Sequence, residues 1–120
     1  NKEGNFVEPS LNSTMAAVES YVATLPKGDG VWTDVTLVNA AGADSYPIAS
    51  FSYLLLNKEL STNPNLDQAK AKALVDFISW AITDGQKMAE SLDYVPLPDG
   101  VVKLDQDTLK SLTFNGQPIT

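Results

Sequence analysis

The chain is 120 residues long and 43% hydrophobic, with 15 acidic against 8 basic residues and a formal charge of −7. That length sets one domain or less, and the charge argues against nucleic acid as a partner and against an anionic membrane surface. With no cysteine and no histidine, disulfides, thiolate and imidazole metal sites, cysteine nucleophiles and histidine general bases are all excluded.

No apolar run approaches the roughly 20 residues of a membrane span. The start, NKEGNFVEPS, lacks the basic and apolar regions of a signal peptide and reads as the interior of something longer. Residues 1–9 are polar with a glycine turn. Ser10 is placed to cap a helix in which Leu11, Met15, Val18 and Val22 form one apolar stripe, ending before Pro26. PKGDG is a turn, residues 35–38 read as a short strand, and NAAGADS leads into YPIASFSYLLL, residues 46–56.

That uncharged stretch is rich in β-branched, aromatic and apolar residues, and at about 3.3 Å per residue it extends roughly 36 Å, beyond an ordinary strand. Ala49, Phe51, Tyr53 and Leu55 share one face; Ile48, Ser50, Ser52, Leu54 and Leu56 share the other. Two readings fit: a segment that leaves one packed body and enters another, or a long central strand of a single sheet.

Residues 57–65 form a loop. A helix over 66–84 follows, with Leu74, Phe77, Ile78, Ala81 and Ile82 on its buried side, Gly85 as a stop, and residues 86–92 able to resume it. Tyr94, Val95, Pro96, Leu97 and Pro98 form an extended link. Asp99 is placed to cap a last helix buried through Val101, Leu104, Thr108, Leu109 and Leu112, and FNGQPIT is a turn and tail. Three or four helices beside one long and one short strand make a marginal sheet, so the strand's partners are expected to lie outside this chain.

YPIASFSYLLLNKE, then KALVDFISWAITDGQKMAESLDYVPLPDGVV, together with the opening GNFVEPS, closely resembles the C-terminal third of the phosphate-binding proteins that serve Pst-type ABC transporters. The matching features are the aromatic before Pro47-Ile48 and its strand, Trp80-Ala81, the turn from Thr83 through Gly85-Gln86-Lys87, and Tyr94 with Leu97-Pro98 before Val101-Val102. The tail after the last helix is similar to archaeal members. The resemblance implies an α/β chain that is the C-terminal portion of a two-lobed, type II periplasmic-binding-protein fold. Residues 1–45 would end the second lobe, 46–56 would be a crossover (hinge) strand, and 57–120 would complete the first lobe.

It further implies an extracytoplasmic, non-enzymatic protein that captures inorganic phosphate and delivers it to an ABC permease. Its expected partners are phosphate, the N-terminal remainder of the same protein and the permease, with no nucleic acid and no cofactor. In that family the ligand is held by a Thr-Phe turn, serines, an aspartate and an Arg…Ser-Gly-Thr group, all upstream of this region. The chain contains no arginine, so a bidentate guanidinium clamp is impossible and the phosphate contacts are expected elsewhere. This chain would then supply scaffold and hinge. The alternative is a free-standing interaction or structural module descended from such a protein.

A few residues invite sharper roles. Ser50 and Ser52 either line the interlobe cleft or bond neighbouring backbone. Asn12 opens the glycosylation sequon Asn12-Ser13-Thr14. Asp84 with Lys87, and Asp99 with Asp105 and Asp107, read as solvated helix faces and caps rather than acid/base or calcium sites, because no glycine-bearing ligand loop accompanies them. Trp80, beside Phe77 and Ala81, reads as core rather than a stacking platform.

Overall fold

Ser10 begins the first helix as its spacing predicts. Its hydroxyl accepts the Ser13 backbone N–H at 3.1 Å, and the Ser13 hydroxyl accepts the Ser10 N–H at 3.0 Å. Such a capping box is worth about 1 kcal/mol. In the computed structural model, which describes residues 1–119, α1 runs Leu11–Glu19. The predicted apolar stripe outlasts it: the backbone tightens into a 3₁₀ turn, Val22–Thr24, and Pro26 holds Leu25 extended.

The strand expected at 35–38 is reduced to one antiparallel bridge, Val38 to Ile48, beside which the Asn39 N–H donates to the Pro47 carbonyl at 2.8 Å. The long strand expected at 46–56 does not form. Residues 50–57 find no backbone hydrogen-bond partner among the described residues, and a strand exists only as part of a ladder.

A 3₁₀ turn, Leu60–Thr62, leads to α2, Gln68–Ala81, whose N-cap Asp67 accepts the Lys70 N–H at 2.8 Å. The buried stripe of α2 is Ala71, Val75 and Ile78, continued by Ile82. This is rotated from the expected one, and Phe77 and Trp80 fall on the outer face, 59% and 42% exposed. They pack on each other instead, ring centroids 5.9 Å apart. The backbone then winds through two short 3₁₀ turns, Asp84–Met88 and Glu90–Leu92, where Asp93 turns left-handed at φ 59°.

Gln86 stitches this stretch to the proline link. Its Nε2 donates to the Ala81 carbonyl at 2.7 Å, and its Oε1 accepts the Leu97 N–H at 2.8 Å. The Gly-Gln-Lys and Leu-Pro segments of the sequence resemblance are thus tied to each other by one side chain.

The last helix, α3, runs Asp99–Lys110. Its N-cap is Pro98, which has no hydroxyl or carboxylate to offer, so Asp99 is a first-turn residue rather than the expected cap. Its carboxylate there complements the positive end of the helix. The expected tail is instead a minimal hairpin: β1, Thr113–Phe114, pairs antiparallel with β2, Gln117–Pro118, in the register Thr113↔Pro118 and Phe114↔Gln117. Asn115 and Gly116 make its turn with φ of 51° and 75°, the two left-handed residues that a type I′ turn requires.

Two hydrophobic clusters hold these elements. One comprises Leu60, Ala71, Val75, Ile78, Ile82, Leu109, Leu112 and Ile119. The other gathers Ala17, Val18, Leu37, Ala40 and Ala49 with Val101 of α3, and Leu97 packs against both. At the second cluster α3 approaches closely enough that a Cβ on Gly100 would collide with Val22.

The result is helix-rich α/β with one small sheet, and it is extended, at 51 × 30 × 21 Å. Its radius of gyration is 16.4 Å, where a compact domain of this length has about 14 Å. Its accessible surface is 7982 Å², where a folded monomer of this mass exposes roughly 6,300 Å².

Candidate functional site

Part of the exposed apolar surface lies on one segment, with Phe6, Val31, Ile48 and Leu92 adding to it elsewhere. The segment that failed to become a strand is anchored at its start: Ala49 is buried, Phe51 is half-buried, and Tyr53 packs edge-on against Trp32 and Phe51 with centroids 5.9 and 6.1 Å away. Beyond that point Leu54, Leu55 and Leu56 are exposed, Leu55 to 93%. Exposed leucines here stand beside backbone groups that find no hydrogen-bond partner among the described residues. Beneath it a shallow hollow of about 230 Å³ is lined by Leu55, Leu56, Asn57, Leu60, Asn63, Leu66 and Leu74. Ser50 and Ser52 are both exposed on the same segment.

The far end of the segment is fastened by Glu59, a residue that sequence reading passed over. Its carboxylate accepts the Ser61 N–H at 3.1 Å and hydroxyl at 2.6 Å, the Thr113 hydroxyl at 2.8 Å, and the Asn115 and Gly116 N–H groups at 2.9 and 3.0 Å. The Ser61 and Thr113 hydroxyls lead the effect, and together these donors lower its pKa to about 2. A bridge between Glu59 and Thr113 and a bond from the Thr113 N–H to the Lys58 carbonyl at 2.9 Å complete the joint. The Asn-Gly pair between Phe114 and Gln117 was the available sequence signal for the hairpin.

A larger open cleft, about 560 Å³, lies between the loop after Pro26 and α3. It is lined by Lys27 and Lys103 but equally by Asp29 and Asp107. Asp29 is held by Lys58 at 2.9 Å and Asp107 by Lys110 at 3.2 Å. The balance of sign leaves no field that would gather an anion. Asp84 and Lys87 form an exposed ion pair at 2.7 Å, each holding the other in its charged form. Asp105 on α3 is half-buried, and desolvation raises its pKa. Among the described residues no three acidic side chains converge as a metal site would require. Asn12 is exposed in the first turn of α1, where its sequon partner Ser13 is buried in the capping box.

The arrangement therefore presents exposed apolar surface, and neither hollow carries a surplus of positive charge. The chain is 40% identical over 111 residues to the phosphate-binding protein PstS of Haemophilus influenzae, covering 92% of this chain and 29% of that protein. It is 38% identical over 111 residues to PstS of Pasteurella multocida, covering 92% and 30%. The archaeal PstS of Methanocaldococcus jannaschii is 36% identical over 107 residues, covering 87% and 27%.

By sequence most of the chain is similar to a part of the PstS phosphate-binding proteins. It spans less than a third of the length of the PstS relatives it matches. No protein-family profile and no solved structure matches it. The PstS relatives are binding proteins, not enzymes, in agreement with the non-enzymatic expectation.

Proposed function

We propose that the chain is the C-terminal portion of a two-lobed phosphate-binding protein that works outside the cytoplasm, captures inorganic phosphate and delivers it to an ABC permease. Within that protein, residues 1–45 end the second lobe, 46–56 cross between lobes as a hinge strand, and 57–120 complete the first lobe. The chain contributes scaffold and hinge, the phosphate contacts being made by the N-terminal remainder. Ser50 and Ser52, exposed on the crossover, are the candidates for facing the cleft, and Asn12 for carrying a glycan.

The observation that carries this reading is the uncovered surface, to which the exposed leucines at 54–56 contribute. The chain exposes roughly 1,700 Å² more than a folded monomer of its mass, about twice what one partner hides in a standard protein interface. The two cores support the lobe boundary: one is drawn entirely from residues 60–119, the other from residues 17–49, with Val101 and the half-buried Leu97 reaching across. The descended-module reading draws its support from closure of those same cores and from buried side-chain polar atoms that all find partners among the described residues. Calorimetric titration of the purified chain with inorganic phosphate distinguishes the scaffold role: no binding heat is expected, and micromolar binding by the chain alone would overturn it.

A further inference from the structure

We propose that the Asn115–Gly116 turn is a latent deamidation site that Glu59 holds closed. The dipeptide places a side-chain amide before a residue without a Cβ, the pairing in which the following backbone nitrogen meets least steric resistance on its way to the asparagine Cγ. In this reaction the Gly116 nitrogen loses its proton and bonds to Asn115 Cγ. The Cγ–Nδ2 bond breaks, and ammonia leaves with that proton. Water then opens the cyclic imide at one carbonyl or the other, leaving aspartate or isoaspartate at position 115. Only water is consumed, and no oxidant or cofactor takes part.

Access is not what prevents it. Both residues are exposed, and the space where a Gly116 side chain would stand is open for 4 Å. What opposes the reaction is the donation of the nucleophilic N–H itself. The Gly116 N–H points to Glu59 Oε2 at 3.0 Å and the Asn115 N–H to Oε1 at 2.9 Å. The carboxylate is in turn fixed by the Ser61 and Thr113 hydroxyls. Deprotonating an amide that already donates to a carboxylate sets two negative charges at hydrogen-bond distance. Bringing Asn115 Cγ to that nitrogen would also undo the two left-handed residues on which the β1–β2 register depends.

Deamidation adds a carboxylate to a turn that already faces Glu59, and like charges there work against the hairpin that seats Ile119 in the core. The site would thus convert slow chemical ageing into loosening of the C-terminal end.

The purified chain, incubated at mildly alkaline pH and analysed by peptide mass mapping, tests this. Isoaspartate at position 115 is expected to form roughly tenfold faster in the urea-unfolded chain than in the native one. A similar acceleration is expected in a folded Glu59→Ala variant, in keeping with loss of one hydrogen bond to a charged group. Equal rates in native and unfolded chain, a wild-type rate in folded Glu59→Ala, or no isoaspartate under any condition would overturn the proposal. Should Glu59→Ala fail to fold, amide hydrogen exchange on the native chain decides. Protection of the Gly116 N–H is expected, and free exchange there overturns the guarding role.

Discussion

Glu59 shows how one charged side chain outside any pocket organises a chain end. Five donors, two from neighbouring Ser61 and three from the distant hairpin, meet on its carboxylate, so the ionised form is the one the fold stabilises. The sign follows from linkage: a carboxyl whose folded pKa lies below its unfolded value adds stability above about pH 4.5 and loses it as pH falls toward about 2. Acid unfolding followed by circular dichroism should show a loss of stability across that window, and Glu59→Gln should flatten it. An unchanged acid limb in the variant would contradict the assignment.

Burial makes a second residue-scale contrast. Leu60, 2% exposed beside Glu59, should lose about 3 kcal/mol on truncation to alanine, while Phe77→Ala on the outer face of α2 should stay within about 0.5 kcal/mol. Urea denaturation measures both. The Phe77 and Trp80 case also shows a limit of pattern reading. Phe77-Ile78 and Trp80-Ala81-Ile82 contain apolar residues almost all round the helix, so hydrophobicity alone could not fix which stripe faces inward. The small Ala71 and the branched Val75 and Ile78 are what the core accommodates. Glu59 was invisible for another reason: three of its five donors lie 54 to 57 residues away in sequence.

Among elements, the helices were legible and the strands were not. Ser10 and Pro26 act through local backbone chemistry, which a sequence displays directly, and α1 begins where its cap stands, whereas α2 starts after Asp67, a cap that its apolar stripe did not reveal. The segment 46–56 has a strand's composition, but its pairing is a property of whatever lies beside it, and among the described residues nothing does beyond one bridge. α3 depends on a contact of the same non-local kind, the seating of Gly100 against Val22. Alanine at position 100 gains helix propensity of about 1 kcal/mol but forces its Cβ into a half-buried, β-branched neighbour, a clash worth about 1–3 kcal/mol. Gly100→Ala should therefore lower the thermal midpoint, and adding Val22→Ala should restore part of the loss. Additive effects of the two substitutions would contradict that contact.

At the scale of the molecule, an extended outline, surplus surface and two cores joined through Leu97 and Val101 fit the proposal that the chain lies against more protein. Its relatives are more than three times as long as the segment it matches. The most direct test of the scaffold-and-hinge proposal is phosphate calorimetry on a hybrid in which this chain replaces the matched 111 residues of the Haemophilus influenzae PstS. The account predicts that the hybrid folds and binds phosphate, because the contacts lie in the retained upstream part. A folded hybrid that does not bind phosphate would contradict it.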